Sequence, residues 1–100
     1  MIVRIFGTAI HPDDIEQAKD LFRADVRPAF EAFDGCAGIE MCIGVGEHSG
    51  ELVEVAAISR WDSIEAMETG IATNEYVVAM TELRQLFAQA PIVRLFESVD

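Results

Sequence analysis

The stretch from Cys36 to Trp61, CAGIEMCIGVGEHSGELVEVAAISRW, decides the fold. On its first arm Ile39, Met41, Ile43 and Val45 alternate with Glu40, Cys42 and Gly44. On its second arm Val53, Val55 and Ala57 alternate with Glu54, Ala56 and Ile58. Between the arms lies Gly46-Glu47-His48-Ser49-Gly50, a turn-forming run. A period of two on both sides of a turn predicts a β-hairpin with two different faces. One face is apolar and needs a cover of helices. The other carries carboxylates yet is too apolar to be a free surface.

Upstream, residues 2–10 read as a first strand, with Val3, Ile5, Gly7 and Ala9 on one face and Ile2, Arg4, Phe6, Thr8 and Ile10 on the other. Pro12 suits an early helical position, and Asp13 with Glu16 has capping-box spacing. Ile15, Ala18, Phe22, Ala29, Phe30 and Phe33 form the apolar stripe of a helix running to about residue 33. Pro28 inside it predicts a kink or restart near Arg27. Asp34-Gly35 ends the helix, Gly35 taking a left-handed conformation.

Downstream, Asp62 and Glu65 repeat the capping-box spacing and open a short helix, Ser63 to Glu68, stopped by Gly70. Thr73 caps another helix, in which Tyr76, Met80, Leu83 and Phe87 share a face. Ala90-Pro91 ends it, and residues 92–99 form the last strand. The order strand, helix, strand, strand, helix pair, strand is the ferredoxin-like βαββαβ unit, an α+β fold with a four-stranded antiparallel sheet. One hundred residues make a single domain, 1–100.

By parity, the all-apolar set (Val3, Ile5, Ile39, Met41, Ile43, Val53, Val55, Val93, Leu95) is expected beneath the helices. The mixed set (Arg4, Phe6, Thr8, Glu40, Cys42, Glu54, Ala56, Ile58, Arg94, Phe96) is expected on the open face. Phe6, Ile58 and Phe96 would then make an exposed apolar patch, so a homodimer through the open sheet face is expected. Arg4, Glu40, Glu54 and Arg94 would form an ion network inside it, fixing dimer register rather than gripping an anionic substrate.

Composition narrows the partners. The chain has 18 acidic and 7 basic residues, a formal charge of −11, and Lys19 as its one lysine. That balance disfavours nucleic acid and anionic membranes. Cys36 and Cys42, six residues apart on one strand, lie ~20 Å from each other at ~3.3 Å per residue, too far for a disulfide. Free thiols, with no signal peptide and no apolar run of membrane-spanning length, lead to a cytoplasmic expectation. At 51% hydrophobic residues, the chain has more apolar side chains than a small monomer needs.

Three segments make the chain resemble the antibiotic biosynthesis monooxygenase-like (ABM) family of dimeric α/β-barrel proteins. They are the proline-containing first helix leading through Phe33-Asp34-Gly35-Cys36, the run Arg60-Trp61-Asp62-Ser63-Ile64-Glu65-Ala66, and the helix from Thr73 to Phe87 running through Ala90-Pro91 into the last strand. The resemblance covers essentially the whole chain and implies a dimeric α/β barrel. One branch of that family degrades haem, using a first-strand Asn, a second Trp and a His ligand. Here the first-strand position falls near Gly7, no Trp follows Trp61 and no His follows His48, so haem is not expected. The cofactor-independent oxygenase branch implies a possible oxidoreductase, a monooxygenase without cofactor, oxidising a small aromatic or phenolic substrate in a pocket between sheet and helices. The alternative is a non-catalytic small-ligand-binding or structural homodimer.

The candidate residues are few. His11 and Tyr76 are the candidate catalytic groups: His11 as a base beside the end of the first strand, Tyr76 as a hydroxyl donor to a substrate oxygen. Phe22, Met41, Trp61, Met67 and Met80 are candidates to line the substrate pocket, although Trp61 reads more readily as a core anchor. No HxH, HExxH or CxxC spacing suggests a metal. A cavity bounded by Trp61, Tyr76 and Phe22 would favour an enzyme, and tight packing of the three would argue against one.

Overall fold

The computed structural model of the protein describes residues 1–45 and 51–99; the predicted turn at residues 46–50, with His48, lies outside them. Strand β1 (Ile2–Ile10) is followed by a 3-10 turn (Pro12–Asp14), helix α1 (Ile15–Leu21), a π turn (Phe22–Val26) and helix α2 (Arg27–Glu31). Strands β2 (Cys36–Ile43) and β3 (Val53–Trp61) form the hairpin arms. Helices α3 (Ile64–Ile71) and α4 (Asn74–Arg84) lead to β4 (Ile92–Glu97). The sheet is antiparallel with order β2-β3-β1-β4, the ferredoxin-like arrangement expected from the sequence.

The first helical segment breaks where Pro28 requires it. Proline has no N–H to give to the carbonyl four residues back, and its ring crowds the preceding turn. The chain widens into the π turn, and the Arg27 N–H bonds to the Phe22 carbonyl, five residues away. Ala18, Phe22, Val26 and Phe30 nevertheless remain on one buried face.

Several local expectations need correction. Asp13 and Glu16 form no capping box, because the chain enters through a 3-10 turn in which the Asp14 N–H bonds to the His11 carbonyl at 2.9 Å. At α3 the cap is Ser63, not Asp62; its hydroxyl accepts the Ala66 N–H at 3.1 Å. Gly70 does not stop that helix but lies within it, for a packing reason given below. Helix α4 ends at Arg84, short of Ala90, and residues 87–88 turn back to bond β1 through Ala88 N–H and the Ala9 carbonyl. Thr73 caps α4 as expected, accepting the Tyr76 N–H at 3.1 Å. Gly35 has φ +79°, the left-handed value expected.

The main correction concerns β1. Residues directly opposite in an antiparallel ladder share a face. Arg4 faces Ser59, Phe6 faces Ala57 and Thr8 faces Val55; Met41 also faces Ala57. Arg4, Phe6 and Thr8 therefore lie on the helix side, where all three are buried. Val3, Ile5 and Gly7 take the open side instead. Strands β2 and β3 follow the expected parity. Val93 and Leu95 share the helix side with Phe6 and Arg4, but the helices do not reach over this edge strand, and each stays about half exposed. The open face thus carries Val3, Ile5, Glu40, Cys42, Glu54, Ala56, Ile58, Arg60, Ile92, Arg94 and Phe96. Its ion pair among the described residues is Arg60–Glu40, 3.4 Å; Arg4 takes no part in any network there.

Candidate functional site

The core divides into two regions on either side of Phe30. On one side Trp61, with no exposed surface, stacks on Phe33 (centroids 6.1 Å apart) and meets the Phe30 ring edge-on at 6.0 Å. Its indole N–H donates to the Ser59 hydroxyl at 2.9 Å, so its one polar atom is satisfied internally. Gly70 lies under the indole: a Cβ there would stand 2.8 Å from Trp61 Cη2. Met67 is buried in the same cluster. Trp61 and Met67 therefore belong to packed core and border none of the slot described next.

On the other side of Phe30 a narrow slot runs between sheet and helices. Phe6, Thr8 and Ile10 of β1, Met41 of β2 and Val55 of β3 form its floor; Phe22, Val26, Met80 and Leu83 form its roof. Its free volume is about 30 Å³, room for one or two waters. Three candidate lining residues, Phe22, Met41 and Met80, thus meet at one place. Tyr76 is buried and reaches the polar end of the slot through Arg4. His11 sits apart, exposed at the start of the 3-10 turn, next in the chain to Ile10 at the other end of β1.

The polar end is unusual in its charge. Arg4, 6% exposed, lines the slot. Its Nη2 donates to the Tyr76 hydroxyl oxygen at 3.4 Å, and Arg84 Nη2 donates to the same oxygen at 3.4 Å. Both guanidiniums rest on the Phe6 ring, at 5.4 and 5.7 Å from its centroid, and Arg4 lies 5.8 Å from that of Tyr76. The ion pairs among the described residues are Lys19–Glu16, Arg23–Asp20 and Arg60–Glu40. Neither Arg4 nor Arg84 is in one. The aromatic faces offset part of the cost of burying Arg4, but a buried charge ordinarily has a counter-charge. Thr8 is satisfied separately, donating to the Gln89 carbonyl at 2.9 Å.

Sequence reasoning did not single out Arg84 or the slot-side position of Arg4. For Arg84 a signal was present. Tyr76, Met80 and Arg84 follow one another at four-residue steps, which places them on one helix face. Elsewhere, burial holds the half-buried Cys36 thiol above its ordinary pKa, outweighing a bond to the Gly38 carbonyl at 3.7 Å.

This geometry can be set against known proteins. No protein-family sequence profile matches the chain, and no curated protein matches its sequence. Its structure does match solved ones. An antibiotic biosynthesis monooxygenase superimposes with a TM-score of 0.73 over all of both chains, at 18% identity. The fold is that of the antibiotic biosynthesis monooxygenases. A variant of SnoaB, a cofactor-independent oxygenase from Streptomyces nogalater, shares this ABM fold with a TM-score of 0.70 and 16% identity, over 99% of this chain and 93% of SnoaB. Rv0793 from Mycobacterium tuberculosis matches at 0.67 and 17% identity, over 99% and 95% of the two chains. At these identities the likeness fixes the fold. Among the described residues no helix is long and apolar enough to cross a membrane.

Proposed function

We propose that the protein is a cofactor-independent monooxygenase acting on a small aromatic or phenolic substrate, held in the slot between sheet and helices. The observation that carries this reading is a water-sized apolar slot lined at one end by Arg4, whose guanidinium donates to the Tyr76 hydroxyl behind it. The shared fold with SnoaB supports it. The reaction needs the substrate as an anion. A proton leaves an acidic carbon or hydroxyl, and the resulting anion donates electrons to O2, forming a carbon–oxygen bond. The hydroperoxide then loses water, so one oxygen atom stays as the new carbonyl and the other leaves as H2O. Dry walls protect the intermediates. The positive charge of Arg4 favours the deprotonated substrate, and the Tyr76 hydroxyl holds its oxygen. His11 is the candidate to take the proton beyond the far end of the slot.

A ring enters only when the slot widens. Met41 and Met80 are the flexible walls that would yield, because a thioether side chain repacks at low cost. The test is oxygen uptake with anthrones and quinols as substrates. Uptake above buffer, with one atom of 18O2 in the product, supports the reading; no uptake with any of them contradicts it. The small slot volume favours a second reading, a non-catalytic binding protein, which predicts saturable binding with no oxygen uptake.

We further propose that the protein is a homodimer through the open sheet face. All six residues of β4 are exposed, Ile92, Val93, Leu95 and Phe96 among them at 46–59%. An apolar edge strand bare on both faces is an association hazard unless something covers it. A second copy offers a matching face.

A further inference from the structure

We infer that Arg4, Arg84 and the Tyr76 hydroxyl form a site for the carboxylate of a small organic acid whose apolar body occupies the slot. This rests on reading the slot as the ligand site, and adds that the ligand arrives already negatively charged.

Three observations converge. First, Arg4 has five N–H donors but, among the described residues, one side-chain hydrogen bond, and at 3.4 Å that bond is long for N–H···O. Second, Arg84 approaches the same oxygen from the exposed side at the same distance, so two like charges converge where repulsion opposes them. In a chain with 18 acidic residues against 7 basic ones, both guanidiniums lack an ion-pair partner among the described residues. Third, Arg4 lines a slot whose other walls are apolar except for Thr8, and Arg84 meets Arg4 at the Tyr76 hydroxyl.

A planar carboxylate fits this arrangement. Guanidinium N–H groups match its two oxygens in a fork, and the phenol, already accepting from both arginines, keeps its own hydrogen to donate. Bound there, the carboxylate supplies the missing counter-charge and relieves the repulsion between Arg4 and Arg84. The apolar remainder must be small, because the slot holds about 30 Å³ before Met41 or Met80 moves. A single ring or a short aliphatic chain suits it better than a fused polycycle.

Benzoate and its uncharged counterpart benzyl alcohol make the direct comparison, titrated into the whole protein and followed by calorimetry and by amide NMR. Benzoate should bind at least about tenfold more tightly, since hydrogen bonds to charged groups are the strong ones. Arg84→Gln, at an exposed position, should weaken benzoate about tenfold and change benzyl alcohol by less than about twofold. Arg60→Gln, on the opposite sheet face, should change neither. Arg4→Gln should abolish the preference for the acid; because that variant alters the core, Arg84→Gln is the deciding one. Equal affinity for the two probes, no benzoate binding, or an unmoved affinity in Arg84→Gln each overturns the inference. Benzoate binding without oxygen uptake from any substrate would leave the carboxylate site standing and remove the monooxygenase. Turnover of a neutral anthrone at a rate indifferent to Arg84→Gln, with no benzoate binding, would do the reverse.

Discussion

Replacing Gly70 by alanine sets two effects of opposite sign against each other. Helix propensity favours alanine over glycine by up to about 1 kcal/mol, somewhat less near a helix end. Packing opposes it. The new methyl would stand 2.8 and 2.9 Å from two carbons of the Trp61 ring and 3.4 Å from Phe33. Carbon contacts relax at about 3.5–4.0 Å, so the indole must retreat by roughly 0.7 Å or more. It has little freedom to do so, being stacked on Phe33, braced edge-on by Phe30 and tied to Ser59. Overpacking of this kind costs about 1–3 kcal/mol. The net expectation for Gly70→Ala is a loss of about 1 kcal/mol in urea unfolding, with Tm lower by about 4–8 °C for a domain of this size. A gain of stability would refute the reasoning. It would show that Trp61 yields easily, and would reopen the possibility that its ring serves as a movable pocket wall.

Other expectations follow from the same packing. Phe30→Ala removes the ring between Trp61, Phe33 and Tyr76 and should cost about 3–5 kcal/mol, a large share of a typical total of about 5–15; calorimetric unfolding measures it. Thr73→Ala deletes the α4 cap and should cost about 1 kcal/mol in denaturant unfolding. With a thiol reagent near pH 8, the half-buried Cys36, whose thiol resists ionisation, should react slowly in the folded protein and faster once urea unfolds it. The same raised pKa makes the unfolded chain release the Cys36 proton first. Stability should therefore fall as pH rises past the ordinary thiol range, about 8.5, and urea melts of Cys36→Ala should lack that part of the slope.

The hairpin, the element order and the Pro28 break were legible because each rests on a local rule: period two, helical spacing, a missing N–H. The face of β1 was not. Its odd positions, Val3, Ile5, Gly7 and Ala9, look like core, and its even positions include Arg4 and Thr8, which look like surface. Bulk pointed the other way, since Ile2, Phe6 and Ile10 are all even, and bulk prevailed. The polar-out rule failed at the residue proposed to hold the ligand, which is where local consistency is expected to give way to function. Gly70 misled for a related reason: glycine signals a stop by its backbone, whereas here it leaves space for the indole of Trp61, nine residues earlier in the chain. Among the candidate pocket residues, Phe22, Met41 and Met80 share the slot because each lies on a core-facing stripe. Spacing alone could not separate them from Trp61 and Met67, which face the same core beyond Phe30.

The reversal of β1 places Arg4 at the slot and turns Val3 and Ile5 outward beside Ile58, Ile92 and Phe96. The slot and the open apolar face are thus consequences of one assignment. Sedimentation of the protein at micromolar concentration, beside Phe96→Asp, tests it most directly. The expected result is a species of twice the 11.0 kDa chain mass that the charge at residue 96 dissociates. A single species of one chain mass for the unaltered protein would contradict the account.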